Sequence, residues 1–262
     1  DSGKVLDIEG TLIAQGTSSD KITFTSSAAS PAAGDWKFIR FNSSAASASF
    51  DSSGDYSSGS ILQYCVIEYA GHGATQAVRQ ESSTPFIDNC TIQHNAYGAI
   101  GGTTAENSTT KITNNTIDDN AGHGIYISFG SGTTFTIEGN TVSNSTYVSL
   151  TNEKGGDGIV AGAGSGPATG TISNNIVSGN ARAGIRTNTG SAGSFDVTIS
   201  NNSILNNGNY GLVTAAGGSS NALADSITAS DNTITGNGGG IAAGAEPDRP
   251  TLVTTTIKDN VI

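Results

Sequence analysis

Short segments of the chain alternate single aliphatic residues with small polar ones, a two-residue period typical of β-strands with one buried face. The stretch KITNNTIDDNAGHGIYIS (111–128) contains a strand, an Asn-rich corner, a second strand, a polar turn and a third strand introduced by glycine. No segment shows the apolar spacing of a long amphipathic helix. The pattern therefore predicts an all-β fold.

The stretch at 111–128 is one copy of a repeat. Its core ITNNTIDDN (112–120) has relatives in IDNCTIQHN (87–95), IEGNTVSNS (137–145), ISNNIVSGN (172–180), ISNNSILNN (199–207), ASDNTITGN (229–237) and IKDNVI (257–262), and LQYCVIEYA (62–70) fits the same frame. The fourth position of each copy is occupied by Cys65, Cys90, Asn115, Asn140, Asn175, Asn202, Asn232 and Asn260, at intervals of 25 to 35 residues. A period of this size built from short strands predicts a solenoid.

Each coil of such a solenoid must bury its apolar face on its neighbours, because it cannot do so alone. Neighbouring strands lie about 4.8 Å apart, so equivalent Ile, Val and Leu side chains stack inside. We expect the Asn column both to occupy left-handed corners and to hydrogen-bond from coil to coil. Residues 1–262 are predicted to form one parallel β-helix domain of roughly nine to ten coils.

These Asn ladders and glycine-led strands resemble the right-handed parallel β-helix family, with its pectate-lyase-like fold. The N-terminal segments IEGTLIAQGTSSDKITFTSS (8–27), GDWKFIRF (34–41) and LQYCVIEYAG (62–71) are similar to the opening coils of secreted, surface-associated β-helix proteins of bacteria and archaea. The resemblance implies an extracellular or cell-surface location. It implies no single activity, since the family includes lyases, hydrolases, epimerases, adhesins and domains without known chemistry.

Composition and charge narrow the classes of partner. The chain has 36 Gly, no Met and only 13% charged residues, which agrees with an all-β fold. With 22 acidic against 11 basic residues the formal charge is −11, so nucleic acid is excluded as a partner because nothing would replace its counterions. No apolar run is long enough for a membrane span, and residues 1–20 lack the features of a signal peptide.

Cys65 and Cys90 occupy the ladder position in consecutive coils. Their Cα atoms are expected about one strand spacing apart, which a disulfide allows, although parallel stacking does not aim the two Cβ atoms at each other. The pair forms either a disulfide or two stacked buried thiols. Two ligands are too few for a metal site.

A ligand site on a solid β-helix has to lie on an outer face, where side chains of successive coils line up. Around the glycine-led strands, the outward positions are predicted to be His123, Tyr126, Asp157, Val160, Ala183, Arg186, Tyr210 and Val213, with Arg182 beside them. The longest interval falls here, and its insert STYVSLTNEKGGD (145–157) is expected to overhang this surface. The candidate substrate-binding residues are therefore His123, Tyr126, Tyr147, Lys154, Asp157, Arg182, Arg186 and Tyr210.

Arginine pairs with uronate carboxylates and tyrosine rings pack against sugars, so this surface suits a polysaccharide or a cell-wall glycan. The candidate catalytic residues are Arg186, Arg182 and His123. By resemblance to the pectate lyases, an arginine would act as base or charge neutraliser, and Asp157 with Glu153 could hold Ca²⁺. The carboxylate cluster that binds calcium in those lyases has no match here, which disfavours that activity. The alternative is an ordinary solvated face, because outward positions are polar in any case.

A further column of residues follows the ladder: Thr91, Thr116, Thr141, Ile176, Ser203 and Thr233. Its companion positions are Gln93, Asp118, Ser143, Ser178 and Leu205. Ice-binding solenoids carry paired threonine columns, whereas these companions are mixed. The strand propensity of threonine therefore explains the column.

No capping helix or polar terminal repeat is evident at either end of the sequence, and uncapped coils present open sheet edges. We expect the chain to be either a piece of a longer polypeptide or a unit that stacks end to end in a filament or surface layer. The favoured prediction is an extracellular or cell-surface β-helix domain with a structural or polysaccharide-binding role and no cofactor beyond Ca²⁺. The alternative is a polysaccharide lyase or another carbohydrate-active enzyme that acts in an outer groove.

Overall fold

The computed structural model describes residues 3–149, 154–189, 194–216, 225–245 and 253–262. Its thirty strands, numbered β1 to β30 in chain order, form three long parallel sheets and two small antiparallel ribbons. The described residues contain no helix, and hence none long and apolar enough to cross a membrane. The all-β prediction is confirmed.

Sheet 1 consists of β1 (Val5–Ile8), β4 (Phe38–Phe41), β9 (Val78–Glu81), β12 (Ile100–Thr103), β15 (Ile125–Phe129), β20 (Ile159–Ala163), β23 (Ile185–Thr189), β26 (Tyr210–Ala216) and β29 (Gly239–Ala245). Sheet 2 consists of β2 (Ile13–Gln15), β7 (Ile61–Gln63), β10 (Phe86–Asp88), β13 (Thr109–Thr113), β16 (Thr133–Glu138), β21 (Ala168–Ser173), β24 (Phe195–Ser200), β27 (Asp225–Ser230) and β30 (Val253–Lys258). Sheet 3 consists of β3 (Ile22–Phe24), β8 (Cys65–Glu68), β11 (Thr91–Gln93), β14 (Thr116–Asp118), β17 (Thr141–Ser143), β22 (Ile176–Ser178), β25 (Ser203–Leu205) and β28 (Thr233–Thr235). The antiparallel ribbons are β5 (Ser49–Phe50) with β6 (Tyr56–Ser58), and β18 (Tyr147–Ser149) with β19 (Lys154–Gly155).

Each coil visits sheet 1, sheet 2 and sheet 3 in turn, so neighbouring strands of a sheet belong to successive coils. The parallel pairing keeps equivalent residues side by side: Ile100 pairs with Ile125, and Ile112 pairs with Ile137. Sheets 1 and 2 have nine strands and sheet 3 has eight. This architecture confirms the predicted parallel β-helix of roughly nine to ten coils.

The core consists of columns of inward side chains that run through the stacked coils. The sheet 2 column contains Ile87, Ile112, Ile137, Ile172 and Ile199, and the sheet 3 column contains Ile67, Ile92, Ile117, Val142, Val177 and Ile204, all with no exposed surface. Three aromatic rings add to this core, with centroids 4.0 Å apart for Phe129 and Phe135 and 5.5 Å apart for Phe135 and Phe195. Burial of each such side chain contributes about 1.5–3 kcal/mol, so the stacking of coils supplies the stability that a single coil lacks.

Two asparagine ladders run along the corners on either side of sheet 3. The first contains Asn115, Asn140, Asn175, Asn202, Asn232 and Asn260, and the second contains Asn95 with Asn120 and then Asn180, Asn207 and Asn237. In each step the side-chain Nδ2 and the backbone N of one Asn donate to Oδ1 of the next. In the second ladder Ser145 stands between Asn120 and Asn180, and its shorter side chain interrupts the series.

The prediction that the ladder residues themselves adopt the left-handed conformation is wrong. At the first corner it is the preceding residue that does so, with φ of 55° at Asn114, 56° at Asn174 and 57° at Asn201. Among the described residues, no member of either ladder has a positive φ. Two adjacent residues therefore have different roles at the corner. The first adopts the left-handed conformation that turns the chain, and the second hydrogen-bonds to the equivalent residue of the next coil.

Cys65 and Cys90 are buried free thiols at the start of the first ladder. Sγ of Cys90 lies 3.4 Å from the carbonyl oxygen of Leu62, a contact equivalent to the one that Asn115 makes with the carbonyl oxygen of Ile87. The hydrogen bond with Cys65 and burial together raise the pKa of Cys90. The cysteines thus continue the corner with a shorter side chain.

Candidate functional site

The outer face of sheet 1 aligns predicted site residues from successive coils. Tyr126, Val160, Arg186 and Val213 are consecutive register partners. Tyr126 therefore lies two coils from Arg186, which is about 9.6 Å at the usual strand spacing. Val160 is only 4% exposed, although the sequence pattern predicts it on the surface.

Asp157 lies beneath this face and joins three of the predicted residues. Its Oδ2 atom is 3.4 Å from Nδ1 of His123, 3.6 Å from Nη1 of Arg182 and 3.6 Å from Nε of Arg186. Its Oδ1 atom accepts a hydrogen bond from the backbone N of Ala183 at 2.9 Å. Asp157 is only 1% exposed, so the expectation that it projects into solvent is wrong. The reason is that the three larger side chains, each at most 20% exposed, close over it.

The ring of His123 is fixed by contacts on several sides. Its Nε2 atom accepts a hydrogen bond from the backbone N of Gly155 at 3.2 Å, and its ring stacks on Tyr126 at 5.1 Å. Because Nε2 is an acceptor, the proton of the neutral ring lies on Nδ1, which faces Asp157. Burial lowers the pKa of His123 to about 4, although the attraction of Asp157 offsets part of this effect. His123 is therefore neutral at neutral pH and has no free lone pair.

The insert that was predicted to overhang this surface forms the ribbon of β18 and β19, in which Tyr147 pairs with Gly155. The carbonyl oxygen of Gly156 accepts a hydrogen bond from the backbone N of Arg182 at 2.8 Å. Gly156 has a φ of 81°, and a Cβ there would lie 3.4 Å from the side chain of Arg182. The end of the insert is therefore in contact with the Asp157 cluster.

A cleft of about 120 Å³ lies beside Tyr126 on the same face, lined also by Ser128, Gly162 and Asn188. Gly162 keeps the floor of the cleft flat, and a Cβ at this position would lie 2.0 Å from the carbonyl oxygen of Asn188. The repeat pattern does not single out Ser128, Gly162 or Asn188. Each of the three lies two residues after a predicted outward residue of the same strand: Tyr126, Val160 or Arg186. Because alternate residues of a strand point to the same side, this spacing is the sequence signal that could have identified them.

The remaining candidates are distributed around this cluster. Tyr210 is 41% exposed, and its ring lies over Gly239, where a Cβ would be 2.6 Å from the ring. The side chains of Tyr147 and Lys154 and the whole of Glu153 lie outside the described part of the chain. In the part that is described, no group of three or more His, Cys, Asp or Glu residues is arranged to hold a metal ion.

The sequence matches a family model described as "Right handed beta helix region" over residues 16–193 and again over residues 153–257. The chain belongs to the right-handed β-helix family. No curated protein matches the sequence of this β-helix. Among solved structures it is similar to the A-module of mannuronan C-5 epimerase AlgE6 from Azotobacter vinelandii, with 10% identity and a TM-score of 0.30. That alignment covers 99% of this chain and 88% of the epimerase chain, and similarity at this level carries no argument about activity.

The chemistry of the β-helix on sheet 1 suits binding better than catalysis. The ion pair with Asp157 uses Nε of Arg186, and the outer N–H donors of a guanidinium fit a carboxylate. Tyr126, which is 39% exposed, offers the apolar surface of its ring two coils away on the same face. A general base needs a free lone pair, which His123 lacks, and arginine stays protonated at ordinary pH.

Proposed function

We propose that this β-helix binds a carboxylate-bearing polysaccharide at an extracellular or cell surface. Arg186 is the carboxylate ligand, and the ring of Tyr126 is the surface on which a sugar packs. The observation that carries the proposal is the position of Arg186: its Nε lies 3.6 Å from a carboxylate that is 1% exposed, while its side chain remains 20% exposed. Arg186 is the register partner of Val160, which lines the cleft. An arginine held in this way is ready to bind before the ligand arrives.

Anchoring matters because a free arginine side chain loses rotamer freedom when it binds a ligand, at a cost of about 0.5–1.5 kcal/mol. Asp157 has already restricted the Arg186 side chain, so most of that cost is removed. A charged hydrogen bond then contributes about 1.5–3 kcal/mol. Asp157 acts through Arg186 and does not touch the ligand.

The excess of acidic residues in the chain does not prevent binding of an acidic polymer. At physiological salt the Debye length is about 8 Å, so exposed carboxylates farther away than this are largely screened from the ligand. Arg186 would contact the ligand directly, and contacts at hydrogen-bond distance are screened much less.

A polymer suits this face better than a small molecule, because the side chains of successive coils repeat along the solenoid. Tyr126 and Arg186 lie two coils apart, with the small floor residue Gly162 in the intervening coil. Ser128 and Asn188 add hydrogen-bonding groups to the cleft. Several adjacent sugar units can therefore contact one face at once.

The test measures binding of uronate polymers and of matched neutral polymers by isothermal titration calorimetry. We expect the chain to bind the uronate polymers, and Arg186→Ala to weaken that affinity by about 10-fold to 100-fold, the equivalent of one charged hydrogen bond. The matched control is Arg79→Ala, which removes the same charge from the outer face of the same sheet, where Arg79 pairs with Glu81. This control should retain its affinity.

Equal weakening in the Arg186→Ala and Arg79→Ala variants would show nonspecific attraction and contradict the proposal, as would wild-type protein that binds no uronate polymer. Each mixture is also monitored by ultraviolet absorbance for an unsaturated product. Product that forms with wild-type protein and is absent with Arg186→Ala would establish the lyase alternative in place of a binding role.

A further inference from the structure

The outer face of sheet 2 carries two columns in which every residue except Asp196 has a hydroxyl side chain, and we name these ten residues the threonine face. The first column consists of Thr134, Thr169, Asp196, Ser226 and Thr254. The second consists of Thr136, Thr171, Thr198, Thr228 and Thr256. Every one of these residues is exposed or half-buried. Over five successive coils, eight of the ten residues of the face are therefore threonine.

The register of sheet 2 turns these side chains into a regular grid. Neighbouring strands lie about 4.8 Å apart, and alternate residues of one strand lie about 6.6 Å apart. The residues between the two columns point inward, and Phe135, Val197 and Ile227 are at most 3% exposed. Because those side chains are packed in the core, the grid is rigid as well as regular.

The hydroxyl groups of the threonine face are available to solvent. Oγ1 of Thr134 pairs with Oγ1 of Thr109 at 3.1 Å, at the edge of the face. The other hydroxyl groups of the face make no hydrogen bond with the described residues, so they bond to water. Asp196 is the only charged residue of the face, in a chain that has 22 acidic and 11 basic residues. This composition complements a partner that is uncharged and rich in hydrogen-bonding groups.

Strand propensity alone does not account for the threonine face. Valine, isoleucine and tyrosine also favour strands, and the outer faces of the other two sheets use them. Sheet 1 carries Tyr126, the buried Val160 and Arg186 in register, and the column on sheet 3 is interrupted by Ile176. The predominance of threonine in two adjacent columns is thus particular to sheet 2, although Asp196 stands in the first column and Glu138 and Lys258 lie beside the second.

We propose that the threonine face binds ice. Each threonine places a hydroxyl group beside a methyl group, so a rigid grid of threonines orders water both by hydrogen bonds and by hydration of the methyl groups. The water molecules of an ice surface form a flat, uncharged lattice with repeats of similar size. The water ordered on the threonine face can therefore merge with the crystal. This proposal is independent of glycan binding, because sheet 2 and sheet 1 are different faces of the solenoid.

The test is partition of fluorescently labelled protein into a slowly growing ice hemisphere, together with thermal hysteresis measured on single ice crystals. Wild-type protein is expected to enter the ice and to shape the crystals. Thr198→Lys places a long charged side chain in the middle of the grid and is expected to abolish both effects. The matched control is Thr116→Lys, which alters an exposed threonine of sheet 3 and should retain both.

Circular dichroism checks that each variant folds, and Thr228→Lys, one coil away, replaces Thr198→Lys if the latter does not fold. Exclusion of wild-type protein from ice overturns the proposal, and so does equal entry of wild type and Thr198→Lys. Binding to crystalline cellulose is measured in the same way. If the wild-type protein binds cellulose and not ice, and Thr198→Lys abolishes cellulose binding, the face recognises a solid polysaccharide and the proposal is overturned. Arg186→Ala is expected to leave ice binding unchanged, so failure of this proposal is distinguishable from failure of the proposed function.

Discussion

Nδ2 of Asn115 donates a hydrogen bond to Oδ1 of Asn140 at 2.9 Å, and the backbone N of Asn115 donates to the same oxygen at 3.0 Å. One side-chain oxygen thus satisfies two buried donors of the neighbouring coil. Both residues are 1% exposed, so water cannot replace these bonds. The ladder therefore holds the corners of successive coils in register.

We expect Asn140→Ala to lower the free energy of unfolding by roughly 2–5 kcal/mol, because each buried donor left without a partner costs about 1–3 kcal/mol. The measurement is urea unfolding followed by circular dichroism. Thr116→Ala, on the exposed face of the adjoining strand, should change the same quantity by less than about 0.5 kcal/mol. Similar losses in the two variants would show that the ladder has no special role.

The lowered pKa of His123 predicts how stability depends on pH. With a pKa of about 4 in the folded chain and 6.5 in the unfolded chain, His123 binds a proton between these values only when the chain is unfolded. Its effect on stability is absent above pH 6.5, and stability falls as the pH drops from 6.5 to about 4, by roughly 3 kcal/mol in total. Urea unfolding at a series of pH values measures this slope.

His123→Gln should flatten the slope between pH 6.5 and 4, because it removes the buried ring whose pKa differs between the folded and the unfolded chain. Asp7 and Asp35 have pKa values lowered by hydrogen bonds from Arg40 and Ser26 respectively. Those two carboxylates lose most of their stabilising effect below about pH 4, as the pH falls through their lowered folded pKa, so they contribute little to the slope in this range. A slope that survives in His123→Gln would contradict the assignment.

Asp157→Asn is expected to lower the melting temperature strongly, because it leaves Arg182 and Arg186 close together without the carboxylate between them. Removal of one partner of a buried ion pair costs about 3–5 kcal/mol. Asp7→Asn is the matched control, since it breaks the half-exposed pair with Arg40 and should cost no more than about 1 kcal/mol. Calorimetry measures the melting temperature of each variant. Equal decreases in melting temperature would contradict the inference that Asp157 holds the site together.

Cys90→Asn is expected to raise the midpoint of urea unfolding, by the equivalent of about 1 kcal/mol. Asn at this corner can donate to the carbonyl oxygen of Leu62, as Asn115 does one coil later to Ile87. Its Oδ1 can accept from the backbone N of Cys65, which extends the ladder by one step. A lower midpoint would show that this coil is too tight for the longer side chain.

The architecture could be predicted from the sequence because the same residues recur at each corner and in each strand. The fourth position of the repeat identified the first ladder, from Asn115 to Asn260. The sequence could not predict that Asn114 adopts the left-handed conformation and Asn115 forms the ladder, because both residues are asparagine and differ only in backbone conformation. Similarly, burial at the core follows from the two-residue period, as at Ile112 and Ile137.

The candidate site was predictable only in part. Register alone placed Tyr126 and Arg186 on one face. The burial of Asp157 depends on how three long side chains close over it, and the repeat contains no information about that. The repeat did not predict the threonine face, because its most regular threonine column follows the ladder residue, whereas the paired columns lie in the strand before it, as at Thr134 and Thr136.

The ribbon of β18 and β19 enters the solenoid where Ser145 interrupts the second ladder. Oγ of Ser145 makes no hydrogen bond with the described residues, yet its backbone N still donates to Asn180 and the coils stack on both sides. This corner accommodates extra chain without loss of register in the sheets around it. It is consequently the natural graft point for engineering, where a foreign peptide of chosen length could be displayed on an otherwise unaltered scaffold.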